Sequence, residues 1–303
     1  MLKIKKIFCV LIAVSATYSC GNQKAITAKR TIEVQGHRGD RGNFPENSIP
    51  AFLSAVKKGA DVVELDVVIS KDQKVVVSHE PFMSSQYMID TEGKPISKDK
   101  EKSYNLYEMT YDSIRKFDGG SRGNNAFPMQ QKQKTYKPLL SEVIDNVEGF
   151  IAKNNLKSVR YNIEIKSEKS DYGKRQPEPE AFTDLVMKII KEKGIEQKIN
   201  IQSFDPTVLN VMHKRYPKTK IAYLVGESSI SENLLLLDFK PEIYSPHYKL
   251  LNQTAVDSLR LMKMKIIPWT VNDDKAIDNM IQLQVDGIIT DYPEKVLQKL
   301  NLK

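Results

Sequence analysis

The chain has 303 residues, 40% of them hydrophobic and 28% charged, a formal net charge of +8 and two cysteines. That composition excludes a low-complexity chain, a polytopic membrane protein and a small disulfide scaffold. The length suits one α/β barrel of roughly 250 residues with an insertion, without a second core.

The N-terminal residues read as targeting sequence. Lys3, Lys5 and Lys6 form a positive stretch, and Ile7 to Ala16 form an apolar stretch too short to span a bilayer, which is the pattern of an export signal. Thr17-Tyr18-Ser19-Cys20-Gly21 is similar to a bacterial lipoprotein processing site, with Thr17 where leucine is usual. Residues 1–20 are therefore read as a lipoprotein signal whose Cys20 carries a lipid anchor; the alternative is a plain secretory signal with an incidental cysteine. Residues 21–31 are polar and aperiodic, a tether to the folded part. An exported chain of the periplasm or cell envelope, held to a membrane at its N-terminus, is the expectation. Cys9 lies inside the signal, so the mature body has no internal disulfide and rests on its core. Removing the three signal lysines from +8 leaves +5, interleaved with acids and without a zinc-finger or helix-turn-helix pattern, which argues against a nucleic-acid partner.

Over residues 32–303 short β-rich runs alternate with amphipathic stretches. Strands are predicted to begin near Thr31, Val62, Val159, Lys198, Lys220, Glu242, Ile266 and Asp286, with helical patterns at 48–58, 178–193, 206–215, 252–263, 273–283 and 293–301. Eight such units predict a TIM (β/α)8 barrel rather than a doubly wound sheet, since no Gly-rich dinucleotide fingerprint follows the first strand. Ser48 is placed to cap the helix from Ile49, Gly59 to end it, and Pro206 and Pro293 to start helices. These strand-to-helix junctions lie at the C-terminal rim, where barrel active sites sit. About residues 82–158 break the rhythm and are read as a helical and irregular insertion after the second strand. Within it 105–117 and 140–152 look helical, and the Gly-, Asn-, Gln- and Lys-rich middle, 119–137, is expected to be mobile.

The chemistry concentrates on two strands. In Asp61-Val62-Val63-Glu64-Leu65-Asp66-Val67-Val68 alternation sends Glu64 and Asp66 to one face of a strand apolar on both sides. Unpaired buried carboxylates cost several kcal/mol or become neutral, so a cation is the simplest compensation. Asn162-Ile163-Glu164-Ile165-Lys166 supplies a third acid and a lysine on one face. Glu64, Asp66 and Glu164 make an all-oxygen set suited to one divalent cation, Mg2+ or Ca2+, rather than to zinc. His37 and His79 flank the acidic pair in the chain.

In order, Gly36-His37-Arg38-Gly39, Pro45-Glu46-Asn47-Ser48, Glu64-Leu65-Asp66-Val67, His79, Asn162-Ile163-Glu164-Ile165-Lys166, Gln202-Ser203-Phe204, Trp269-Thr270-Val271-Asn272 and Thr290-Asp291-Tyr292-Pro293 resemble the glycerophosphodiester phosphodiesterases. The resemblance runs over about residues 34–295. It implies a metal-dependent TIM barrel that hydrolyses glycerophosphodiesters to glycerol 3-phosphate and an alcohol. It carries over His37 and His79 as the general acid/base pair, Glu64, Asp66 and Glu164 as metal ligands, and Arg38 and Lys166 as phosphate or substrate contacts. Gly39 would let the phosphate approach the backbone closely. Glu46 and Asn47 either touch metal or glycerol or hold the first loop; Phe204 and Trp269 either line an alcohol pocket or belong to the core. His247 is read as structural and His213 as a surface residue. Two rival readings are a phospholipase D-like or inositide-cleaving enzyme acting on intact lipids, and a lipoprotein that binds glycerophosphodiesters without cleaving them.

Overall fold

Parallel pairing organises the chain. The computed structural model describes residues 32–301; the signal, Cys20 and the tether lie outside the described residues. Strands β1 (Glu33–Gly36), β2 (Val62–Ile69), β3 (Val75–Val77), β4 (Arg160–Ile165), β5 (Ile199–Ser203), β6 (Lys220–Val225), β7 (Ile243–Pro246), β8 (Lys265–Ile266) and β9 (Gly287–Thr290) form one sheet. Its order is β8-β7-β6-β5-β4-β2-β1-β9, with β3 antiparallel on β2 and every other strand pair parallel. Backbone bonds from Asp286 N–H to Ile266 O and Ile289 N–H to Pro268 O bridge the remaining gap, leaving a nearly closed eight-stranded parallel barrel. The predicted TIM barrel is thus the observed architecture.

The helices are α1 (Ile49–Lys58), α2 (Tyr111–Ile114), α3 (Leu140–Asn154), α4 (Pro179–Glu192), α5 (Pro206–Arg215), α6 (Ile230–Leu234), α7 (Gln253–Leu261), α8 (Asp274–Gln282) and α9 (Pro293–Asn301). Local chemistry sets their ends as expected: Ser48 Oγ accepts from Ala51 N–H, Gly59 closes α1 at φ 92°, and Asp205 caps α5 ahead of Pro206. The five-residue α6 was not predicted.

Strand β2 is buried on both faces. Val63, Leu65 and Val67 pack outward with Phe52 and Val56 of α1, Leu140 and Val147 of α3, and Phe182 of α4 in one core cluster. Glu64 and Asp66 take the alternate positions and face the barrel interior. Register then does the assembly: Asp66 pairs with Glu164, and Glu164 with Gln202, so residues from three strands share one level near the rim.

Two readings of the insertion change. Leu140, Val143, Ile144 and Val147 of α3 belong to the main core, so α3 is the barrel helix that follows β2, not insertion. The preceding segment packs Met83, Met88, Leu106 and Phe117 against Val68 of β2 and Val76 of β3 in a separate cluster. The expected mobile middle is instead tied down by specific hydrogen bonds. Gly119 N–H donates to Thr135 O, Gln131 N–H to Asn43 O and Gln130 Nε2 to Arg41 O, while Phe127 lies 4.5 Å below the Arg41 guanidinium. Composition alone cannot register partners that lie on the first barrel loop. No helix among the described residues is long and apolar enough to cross a membrane.

Candidate active site

The three acids meet. One oxygen from each of Glu64, Asp66 and Glu164 lies within 4.8 Å of the others, and all three residues are buried. Arg38 makes this possible through its backbone: a left-handed φ of 50° directs its N–H onto Glu64 Oε2 at 2.7 Å. A non-glycine residue in that region is strained, a feature that concentrates at functional sites. Gln202 Nε2 donates to Glu64 Oε1 at 2.9 Å. Asn47 Nδ2 donates to Asp66 Oδ2 at 2.8 Å, and Lys166 Nζ to Glu164 Oε1 at 2.6 Å. Asp66 Oδ1 is buried with no hydrogen-bond partner.

The electrostatics are short of positive charge. Burial, then repulsion from Asp66 and Glu164, pushes the Glu64 carboxyl well above its ordinary range. Burial likewise raises Glu164, with Lys166 opposing. For Asp66 burial is outweighed by Arg38, His79 and Lys166, which hold it far below the usual carboxylate range. An orphaned Asp66 oxygen among three buried carboxylates, with no nitrogen or sulfur ligand in the set, fits a hard divalent cation. Glu64, Asp66 and Glu164 would hold it.

Each histidine is held by a carboxylate that sequence reasoning did not assign. His37 Nδ1 lies 2.7 Å from Asp291 Oδ1, and Asn272 Nδ2 fixes the other Asp291 oxygen at 2.6 Å. His79 Nδ1 lies 3.0 Å from Glu80 Oε1, whose Oε2 accepts from Tyr87 OH at 3.2 Å. A carboxylate on Nδ1 leaves Nε2 as the ring atom available for proton transfer. Burial lowers the His37 pKa, with Asp291 acting against it. Burial opposes ionisation of Glu80, but the hydrogen bond and charge of His79 hold Glu80 below the carboxylate range. The segment carrying His79 is anchored by buried Lys137, which donates to Ser78 Oγ at 2.7 Å. Burial lowers the Lys137 pKa against the pull of Glu80.

A cavity of about 160 Å³ opens here, with His37, Arg38, Arg41, His79 and Lys166 on its polar side. Its other wall is Phe204, Trp269, Leu224 and Ile289. The Phe204 and Trp269 rings meet edge to face at 5.2 Å, and Trp269 Nε1 is fixed by Ser245 O at 2.9 Å. Both aromatics therefore line the cavity.

Glu46 does not line this cavity. Its two oxygens accept from Arg38 Nη1 at 2.6 Å and Arg41 Nε at 2.7 Å, a clamp on two cavity arginines that matches the second of its two readings, holding the first loop. Burial opposes ionisation of Glu46, but Arg38 and then Arg41 lower its pKa. Gly39 also differs from expectation. A Cβ there would stand 2.6 Å from the Ala51 carbonyl carbon, so α1, rather than a phosphate, occupies the space its missing side chain leaves. His247 touches Trp269 at 5.2 Å behind the wall, and His213 stacks on Phe239 at 4.1 Å. Sequence reasoning missed Arg41, Glu80, Asn272 and Lys137 as well as Asp291. Asp291 and Asn272 carried a signal, through their places in the motif runs 290–293 and 269–272.

Comparison with known proteins gives the family. Residues 37–295 match the model of the glycerophosphoryl diester phosphodiesterase family. The chain belongs to this family. It is similar to a glycerophosphodiester phosphodiesterase of Bacillus altitudinis, 31% identical over 268 residues that cover 88% of this chain and 97% of the relative. Among solved structures, one from Silicibacter pomeroyi described as a putative glycerophosphoryl diester phosphodiesterase matches with a TM-score of 0.81 at 24% identity, covering 90% of this chain and 94% of that one. An Oleispira antarctica phosphodiesterase in complex with the product sn-glycerol-3-phosphate matches with a TM-score of 0.70 at 20% identity, covering 89% and 97%. At these identities the two structures speak for the fold of this family.

Proposed function

We propose that this phosphodiesterase-family chain hydrolyses glycerophosphodiesters to glycerol 3-phosphate and an alcohol, using one divalent cation, Mg2+ or Ca2+, and the His37/His79 pair. The observation that carries the reading is the convergence of three buried carboxylates, one of them, Asp66, with an orphaned oxygen, beside a cavity that Glu64 and Glu164 line together with both imidazoles. A bound cation would neutralise non-bridging phosphate oxygens and lower the barrier to attack on phosphorus. Arg38, Arg41 and Lys166 place guanidinium and ammonium donors along the same polar wall, where a phosphodiester's negative charge is favoured. One imidazole takes the proton of the attacking hydroxyl and the other returns a proton to the departing alcohol oxygen, the exchange that Asp291 and Glu80 prepare by fixing each ring. The apolar wall of Phe204 and Trp269 receives the carbon skeleton of the substrate.

The chain acts, in this reading, as an exported lipoprotein anchored through Cys20, which rests on the lysine-led apolar stretch and the 17–21 motif. Incubation with glycerophosphocholine and glycerophosphoethanolamine, with and without chelator, tests the activity. Release of glycerol 3-phosphate that stops on chelation is expected; binding without release would support a capture protein instead. Phosphorus NMR of early turnover separates attack by water from attack by the glycerol C2 hydroxyl, which passes through a cyclic phosphate.

A further inference from the structure

On the β1–β5 side the barrel interior around and below the carboxylates is lined by side-chain amides rather than by the branched apolar residues usual in this architecture. Gln35, Asn162, Asn200 and Gln202 are all buried. They form one hydrogen-bonded chain. Asn162 donates from Nδ2 to Gln35 Oε1 at 2.8 Å and to Gln202 Oε1 at 2.9 Å, and its Oδ1 accepts from Asn200 Nδ2. Gln35 Nε2 donates to Glu33 Oε1 at 2.6 Å, and Gln202 Nε2 to Glu64 Oε1 at 2.9 Å.

The chain ends on a carboxylate at each side, and that fixes its direction. Glu33 opens β1 at the far end of the barrel and is ion-paired with Arg160, so it accepts only. Gln35 must therefore turn its amide nitrogen to Glu33 and its oxygen to Asn162. Asn162 then spends both Nδ2 hydrogens on Gln35 and Gln202, and Gln202, its oxygen occupied, offers Glu64 a donor and nothing else. The reverse orientation would set amide oxygens against carboxylate oxygens at both ends, which a buried site does not tolerate.

We infer that Gln202 is a positioning residue for the proposed metal ligand Glu64, and that the amide chain from Glu33 through Asn162 dictates the donor it presents. With Arg38 N–H on Oε2 and Gln202 on Oε1, each oxygen of Glu64 carries one fixed donor. The carboxylate plane is set before a cation arrives, and the remaining lone pairs are the ones a cation can use. Outer partners of this kind typically contribute 10- to 100-fold in metal affinity. The inference rests on the metal reading above.

Calorimetric titration of Mg2+ and Ca2+ into the full chain tests it, with melting curves recorded in the absence of cation. Gln202→Met removes the donor at similar volume and is expected to weaken cation binding by about 10- to 100-fold. Asn162→Asp is isosteric and does not hydrogen-bond Glu64. It forces Gln202 to donate toward position 162 and turn its oxygen to Glu64, so about tenfold weaker binding is expected. Binding by both variants within twofold of the unaltered chain overturns the inference while leaving the metal reading intact. A chain that binds no cation at all before substitution overturns both. Should Gln202→Met fail to melt cooperatively, the Asn162→Asp titration decides alone.

Discussion

The two halves of the barrel interior are built from opposite materials. From β1 to β5 the inward residues are Gln35, Glu64, Asp66, Asn162, Glu164, Asn200 and Gln202, a polar wall in which nearly every group has a partner. Across β6 to β9 the inward cluster is Ala222, Ile243, Ile267 and Ile289, backed by Trp269. The outer faces do not differ in this way, since both halves feed the same apolar cluster beneath the helices. Stability is thus distributed round the ring, whereas the carboxylates and amides of the strands themselves lie on one side of the interior, with Asp291 after β9 reaching across to His37. The polar half suits a cation and a phosphate; the apolar half suits a carbon skeleton.

Substitutions on the two sides should separate accordingly. The largest effect is expected from the polar half, where His37→Ala and His79→Ala each lower kcat by about 10²- to 10⁴-fold, the usual contribution of a general acid or base. Steady-state assays on glycerophosphocholine check this, and turnover within tenfold of the unaltered chain would remove that histidine from the proton transfers. Asp291→Asn comes next, at about 10- to 100-fold. It also carries a pH signature. Burial lowers the His37 pKa and Asp291 raises it, so losing the aspartate charge leaves burial less opposed. If neutral His37 is the base, the acid limb of kcat/KM lies below the ordinary imidazole value and moves to still lower pH in Asp291→Asn. A limb that moves upward would assign the titration to another group.

The apolar half should give a smaller and different response. Phe204 is 40% exposed at the cavity edge, so Phe204→Ala is expected to spare folding. It should raise KM by about tenfold with little change in kcat, the scale of one lost hydrophobic contact. Equal losses in both parameters would place the ring against the reacting phosphate instead. His213→Ala, outside both halves and stacked on Phe239, should leave turnover unchanged.

The polar half was largely legible in the sequence because strand alternation is local. Glu64 and Asp66 sit two residues apart in an apolar run, and Glu164 and Lys166 repeat the pattern, so their shared face needed no tertiary information. Their partners were harder to read. Asp291 reaches His37 across 254 residues of chain, and only closure of the barrel through the β1/β9 pairing makes them neighbours. Lys137 closes the Lys-rich stretch 119–137, and nothing local to it points to its buried bond with Ser78. Gln202 was visible as part of a motif, but its bond to Glu64 depends on the β4/β5 register, which no pattern in a single sequence fixes. Glu46 stayed open between two readings for the same reason, since its arginine partners depend on the left-handed turn at Arg38.

The central claim is that Glu64, Asp66 and Glu164 together hold one divalent cation that turnover requires. Titrating Mg2+ or Ca2+ into chelator-stripped protein, while following both heat and glycerol 3-phosphate release, tests it most directly. One site per chain, filled in step with recovered activity and absent in Asp66→Ala, is the predicted result; full activity in the stripped protein would contradict the account.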